Sequence, residues 1–352
     1  MAEQKSDLSR AFSEDGALKT HVGGQALIEG IMMRGKYNWA AAVREPAGTI
    51  YVEEHDLASG RSKNKWLYWP IVRGCRAFVE SLVLGYKALE VAALHAFSDS
   101  EPAKASPMDA AEQAVPAEEA AALSTVDFSG DDSDEKADDS FEFGKKEMAF
   151  SMVLGLVLGV ALFIIAPAVI ANLLVGEYDS NTLAWNIVDG IVRVAIFVFY
   201  IWLIGRMEDI KRMFGYHGAE HKTIFCYEAG LPLTVENVRR QSRQHPRCGT
   251  SFLFVVIVVA ILLSSFVFSF VEVTNVFARM GVHLLLLPVV VSLTYEINRL
   301  VGRYDNALTR VMTAPGLWLQ NYTTFEPVDS MIEVGIRALE LVLPEKQGED
   351  AW

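Results

Sequence analysis

Strongly apolar stretches dominate the second half of the chain, and polar sequence fills most of the first. Residues 149–174, 185–205, 251–271 and 281–297 are apolar with few charges. A helix needs about 20 residues to cross the hydrocarbon of a bilayer. The first three stretches meet that length clearly. The fourth contains Pro288, ends at Tyr295-Glu296 and meets it marginally. The pattern predicts a membrane α-helical protein with about four transmembrane helices in a membrane domain spanning 143–298.

Charges on the connections orient those spans. Residues 206–249 carry eight Lys and Arg, Lys145 and Lys146 precede the first span, and Arg299, Arg303 and Arg310 follow the fourth, whereas 175–184 carries no base. Basic residues stay on the cytoplasmic side. Both termini and the 206–249 connection are therefore expected in the cytoplasm, at a cytoplasmic (inner) membrane. Within the second span, Asp189 and Arg193 lie one turn apart. Their position toward the outer end favours an ion pair that snorkels to the interface.

The polar remainder divides into modules. Residues 1–20 read as a disordered leader without an apolar signal core. Residues 21–97 read as a small β element followed by a helix. Ala40 to Arg44 and Thr49 to Glu54 flank Glu45-Pro46-Ala47-Gly48, which is a hairpin signature. Residues 66–97 have helical spacing. With Trp66, Tyr68 and Trp69 at its start, this helix suits either a membrane surface or packing on the protein. Residues 299–352 read as a cytoplasmic cap ending in an amphipathic helix over Met331 to Leu343, with Ile332, Ile336, Leu339 and Leu343 on one face. Its expected partner is the N-terminal β element.

Net charge changes the picture only locally. The chain carries −13, of which the tract from Asp99 to Glu142 contributes −12 through fourteen carboxylates and two lysines. That tract, 98–142, has too few apolar anchors to offset its ordering entropy. It reads as an acidic disordered insert, a solvated spacer in preference to a docking segment for a protein partner. The rest is near neutral, and the basic residues of 206–249 are explained by topology, so no nucleic-acid partner is expected. Membrane lipids are. The three cysteines, Cys75, Cys226 and Cys248, show no framework spacing, which predicts no structural disulfide and a reducing compartment.

Candidate chemistry sits on the 206–249 connection. In His217-Gly218-Ala219-Glu220-His221 the two histidines, four apart, fall on one helical face where they can share a metal ion. The order His-x-x-Glu-His is that of inverted zinc peptidases, with Glu220 as general base on water. Further on, His245-Pro246-Arg247-Cys248-Gly249 places His245 and Cys248 in reach of the same ion, and the donor types suit Zn²⁺. A helix from Thr234, its N-cap, to Gln244 is predicted between the motifs. Glu228 and Glu296 could add a carboxylate. In the plainer alternative the histidines meet lipid phosphates and Cys248 is a small buried apolar residue. Gln25, Glu29 and Arg34, in the glycine-rich run 23–35, read either as a loop near the metal or as a turn-rich β segment. The run lacks Gly-Lys-Ser/Thr, so it is not a phosphate loop.

Four runs carry a family resemblance: Gly23-Gly24-Gln25-Ala26-Leu27-Ile28-Glu29-Gly30-Ile31-Met32-Met33-Arg34-Gly35, Tyr216-His217-Gly218-Ala219-Glu220-His221-Lys222, His245-Pro246-Arg247-Cys248-Gly249-Thr250-Ser251-Phe252 and Pro315-Gly316-Leu317-Trp318-Leu319-Gln320. Over 21–97 and 143–343 the chain resembles the YqhQ-like family of bacterial membrane proteins, and the insert at 98–142 departs from the shorter family pattern. The resemblance implies a bacterial multi-pass membrane protein described as a predicted metal-dependent enzyme. It implies no substrate. Three functions compete: a metal-dependent hydrolase at the cytoplasmic membrane face, a non-catalytic scaffold or assembly factor with a structural metal, and a small transporter using Asp189 and Arg193. The absence of visible internal repeats argues against the last.

Overall fold

The computed structural model of the protein describes residues 18–57, 65–97, 154–155, 157–176, 182–271, 276–304, 306–344 and 349. The acidic insert and nearly all of the leader lie outside the described residues.

A four-stranded antiparallel meander opens the fold, with β1 (Gly23–Leu27), β2 (Gly30–Arg34), β3 (Asn38–Arg44) and β4 (Ile50–Asp56) in sequence order. The predicted hairpin is β3–β4. Its turn closes through Gly48 at φ +89°, a left-handed position that glycine adopts without steric cost. The glycine-rich run is itself a hairpin, β1–β2, in which Leu27 pairs with Gly30. Its turn residue Glu29 has φ +53° although it is not glycine. Bonds from its carboxylate to the Arg212 guanidinium and the Tyr216 hydroxyl hold it there.

Both faces of this sheet are covered, so its strands read as continuous apolar runs and not as simple alternation. Ile31, Met33, Ala40 and Ala42 face helices α4 (Glu208–Glu228) and α9 (Asp329–Glu340). Leu27, Met32, Trp39, Ala41 and Val43 face α1 (Val72–Ala96), through Leu84, Ala88, Val91 and Ala92. The alanines of β3 let helices approach closely on either side. Packing of α9 on the β element agrees with the sequence expectation, and Ile332 and Leu339 are fully buried there. Helix α1 packs on the protein, one of the two alternatives expected for it. One face packs on the sheet, while Phe78, Val79, Leu82, Val83 and Tyr86 stay exposed. Its first turns lie against the lower half of α7 (Val276–Arg303), where Gly74 meets Ser292 and Cys75 Sγ lies 3.1 Å from Ser292 Oγ.

Among the described residues, three helical stretches are long and apolar enough to cross a membrane: Val157–Val175, Ala184–Ile204 and Gly281–Arg303. The first comprises a π-helical turn at Ala161–Ile165 and α2 (Ala166–Val175), and the second lies in α3 (Thr182–Ile204). The fourth apolar helix, α6 (Gly249–Phe268), is 20 residues long and is apolar over Phe252–Phe268. The stretch after 281 continues as helix through Pro288 and past Glu296 to Arg303, and the Glu296 carboxylate is bound by Arg73 (Nε to Oε1 2.6 Å).

Asp189 and Arg193 pair at 2.8 Å as spaced, but Asp189 is buried. The pair faces a cavity of about 160 Å³ between α2, α3, α6 and α7, which Asn172, Trp185, Ser264 and His283 also line. The ion pair turns inward, so snorkelling to the helix end does not describe it.

The expected helix from Thr234 to Gln244 is only α5 (Val235–Arg239). Thr234 does cap it, accepting from the Asn237 N–H at 3.3 Å. The chain leaves the helix early because Ser242 and Pro246 turn it back toward α4. Helix α8 (Ala307–Thr323), opened by an Asn306–Thr309 capping box, then passes beside the start of α6.

Candidate metal centre

The 206–249 connection is mainly helix. Glu208 and Asp209 open α4, where carboxylates favour the positive end of the helix dipole. Gly230 at φ +68° follows its end. Every residue from Phe214 to Glu228 is buried, so the histidines do not lie on an exposed basic loop. Polar groups buried this way require partners.

His217 and His221 occupy one face of α4, with ring centroids 4.4 Å apart. Each ring is oriented by a backbone carbonyl: His217 Nδ1–H donates to Thr323 at 2.8 Å and His221 Nδ1–H donates to Arg243 at 2.6 Å. A carbonyl only accepts, so each ring carries its proton on Nδ1 and turns Nε2 inward, the second-sphere arrangement common to metal-ligating histidines. His217 Nε2 lies 3.2 Å from Cys248 Sγ. His221 Nε2 is buried without a hydrogen-bond partner. Ligand atoms of His217, His221 and Cys248 all lie within 4.8 Å of one another.

Cys248 caps the N-terminus of α6 with extended backbone, a position that favours thiolate. Burial alone would push the thiol up. The imidazoles of His221 and His217 outweigh it and hold Cys248 well below the ordinary thiol range. Burial likewise disfavours a charged His217, yet the facing Cys248 raises it to about 9. Together they favour a thiolate–imidazolium pair in the ion-free centre, and a bound ion would replace the proton on His217 Nε2.

The donor set fits a zinc-class ion. It offers one thiolate and two imidazole nitrogens, and the buried His221 Nε2 has no geometric hydrogen bond and is answered only by the neighbouring Cys248 thiolate.

Glu220 lies on the adjoining face of α4, beneath β1. Its carboxyl packs so closely on Gly24 that a Cβ there would stand 2.9 Å from Oε1. The Gly24 N–H bonds to the carboxylate. Oε2 is buried without a partner. Burial pushes the Glu220 carboxyl above its ordinary range, against the pull of His217 and His221. The glycine-rich run thus reaches the centre through Gly24. Gln25, Glu29 and Arg34 instead make structural contacts with Gly85, Arg212 and Glu80 respectively.

His245 is adjacent but not among the three converging ligands. Its ring centroid is 5.6 Å from that of His221. Nδ1 accepts from the Arg247 N–H at 3.3 Å, and Nε2 lies 3.6 Å from Glu228 Oε2. Burial pushes its pKa down. Glu228 is likewise committed elsewhere, to Thr20 and the Arg247 guanidinium. Glu296, bound to Arg73, serves α1 and not the centre.

Two supporting features have no clear sequence signal. The carbonyls of Thr323 and Arg243 aim the imidazoles, and a backbone acceptor leaves no trace in residue type. Gln320 clamps the His245 backbone, its Oε1 accepting from the N–H at 2.8 Å and its Nε2 donating to the carbonyl at 2.9 Å. A lone amide after Leu317-Trp318-Leu319 was the available hint.

A family profile described as "Protein of unknown function (DUF1385)" matches residues 69–345. The chain is similar to the uncharacterized protein YqhQ of Bacillus subtilis (strain 168), with 31% identity over 330 residues, covering 91% of this chain and 92% of that one. No solved structure matches it. His217, Glu220, His221, His245 and Cys248 all fall inside the matched span, and the likeness extends over nearly the whole of both proteins, so the chain belongs to the DUF1385 family, the YqhQ-like membrane proteins.

Proposed function

We propose that this protein is a metal-dependent hydrolase working at the cytoplasmic face of a bacterial inner membrane. In this reading it crosses the bilayer four times, α6 included, with both termini in the cytoplasm. One observation carries the reading: His221 Nε2, buried and without a geometric hydrogen bond, converges with His217 Nε2 and the Cys248 thiolate.

Three protein ligands leave a position open, as in catalytic and not structural zinc sites. An ion held there would supply Lewis-acid polarisation of a substrate carbonyl or phosphoryl oxygen. The chain supplies the rest. Thr323 and Arg243 fix the imidazoles, Cys248 contributes the negative charge, and the sheet and α9 exclude bulk water. Glu220 takes the proton from the attacking water on Oε2 while Gly24 holds Oε1. Burial raises its pKa above the ordinary carboxylate range, the direction that makes a carboxylate a stronger general base.

The scaffold alternative has one observation in its favour. The centre joins α4, the 243–248 segment and the end of α8, so an ion there would also staple the fold. The comparison of Glu220→Gln with His221→Ala separates the readings. Hydrolysis expects Glu220→Gln to keep metal and fold while failing to complement a deletion strain. If it complements as wild type while His221→Ala loses metal and unfolds, the ion is structural.

A further inference from the structure

A second concavity lies where β2, α1, the N-terminal end of α6 and the C-terminal half of α7 meet. It is a cleft of about 870 Å³ with two chemically opposed walls.

One wall is basic. Arg34, Lys36, Arg73, Arg76 and Arg299 line it. Glu80 answers Arg34 at 2.8 Å and Arg76 at 3.6 Å, and Glu296 answers Arg73. Lys36 is bound to the Glu349 carbonyl at 2.8 Å, so four guanidiniums meet two carboxylates, which leaves a surplus of positive charge. The other wall is apolar: Phe252 and Val256 come from α6, and Leu287 and Val291 from α7. Since α7 contains a stretch able to cross a membrane, this wall continues into apolar surface.

Between the walls, Thr294 Oγ1 and Asn298 Oδ1 are buried without hydrogen-bond partners, although Thr294 is only 3% exposed. A buried hydroxyl and amide oxygen left unsatisfied cost free energy unless a ligand or water completes them.

We propose that this cleft binds an anionic amphiphile with a hydroxylated phosphate headgroup. The phosphate sits against Arg34, Arg76 and Arg299, where guanidinium forks match its oxygens. The chains run along Phe252, Val256, Leu287 and Val291, and the headgroup hydroxyl completes Thr294 and Asn298. A free phosphate would leave the apolar wall wet, and a neutral lipid would leave the surplus charge unanswered. The cleft also reaches Gly249, the neighbour of Cys248. The binding site does not depend on hydrolysis, because a lipid held as a structural ligand makes the same contacts.

The test uses the full chain purified in an uncharged detergent. Its probes are dioctanoyl phosphatidylglycerol, dioctanoyl phosphatidylcholine and inorganic phosphate, with bound metal measured in parallel. Saturable binding of the anionic lipid is expected, about tenfold or more tighter than its zwitterionic counterpart. Arg76→Gln with Arg299→Gln should weaken it about tenfold, with metal content unchanged. Val291→Trp should abolish it by filling the cleft. Thr294→Val should weaken binding yet raise the unfolding temperature of the lipid-free protein, because it removes an unsatisfied hydroxyl. Equal affinity for the two lipids, equal affinity for inorganic phosphate, or indifference to both the charge and filling variants would overturn the proposal.

Discussion

His221 is bound to the backbone of Arg243, its Nδ1–H donating to the carbonyl at 2.6 Å. The acceptor lies in the non-helical segment that follows α5, which ends at Arg239. The bond fixes which nitrogen faces the centre, so ligand identity can be argued residue by residue.

Metal content should follow the three converging side chains and not the sequence motif. His217→Ala, His221→Ala and Cys248→Ser each remove a donor and should abolish stoichiometric metal, read by elemental mass spectrometry on protein in detergent. His245→Ala should retain it, since both of its ring nitrogens face Arg247 and Glu228. Loss of metal in His245→Ala at a wild-type unfolding temperature would restore His245 as a ligand.

Much of this centre was legible in the sequence and part was not. Spacing of four along a helix suffices to place His217 beside His221, and Cys248 follows because its short side chain sits at a helix start. His245 and Glu228 were indistinguishable from ligands by type and spacing. What separates them is Arg247, whose guanidinium binds Glu228 and whose N–H is accepted by His245, a long-range arrangement that periodicity does not encode. The same holds for the spans. Hydropathy located all four apolar helices, but not the ion pair between Glu296 and Arg73, 223 residues apart, that ties the last of them to α1. The glycine-rich run agrees with its reading as a turn-rich β segment, but the place of its turn was not legible, because Glu29 takes the left-handed region with its carboxylate bound by Arg212 and Tyr216 from α4.

Gly218→Ala should be destabilising even though alanine is the better helix former by about 1 kcal/mol. A Cβ at Gly218 would run into the carbonyl oxygen of Phe325. That carbonyl belongs to a segment latched to α4 by the Phe325 N–H bond to Phe214 at 2.9 Å. Overpacking of this kind costs about 1–3 kcal/mol, visible as a lowered thermal midpoint. Gly281→Ala is the control, because no atom lies within 4 Å of its added Cβ, and it should be neutral or slightly stabilising.

Glu228 makes stability acid-sensitive. Burial would raise its carboxyl, but His245, Arg247 and the Thr20 N–H hold it below its ordinary 4.5. A carboxylate lowered in the folded state binds fewer protons there than in the unfolded chain, so its contribution is complete above the ordinary value and is lost as pH falls through the lower, folded one. Glu228→Gln should therefore be less stable than wild type at about pH 7, with the difference shrinking only in the acid range below 4.5. A difference that narrows instead between neutrality and that value would show that Glu228 is not held as described.

Gln320 is predicted to matter as much as a ligand while touching no metal. Its side chain binds both the N–H and the C=O of His245, which fixes the strand of chain between Arg243 and Cys248. One end of that strand orients His221 and the other supplies the thiolate. Gln320→Leu keeps the volume but leaves two buried backbone groups unsatisfied, at about 1–3 kcal/mol for each group. Gln320→Glu keeps only the acceptor half and sets a carboxylate against the His245 carbonyl. The expected order of thermal midpoints is wild type above both variants. Weakened metal retention on dialysis against a chelator should accompany the loss, because Cys248 and Arg243 are no longer held in register. A variant that lowers the midpoint yet retains metal like wild type would mean that the clamp serves the fold alone and that the ligands position themselves.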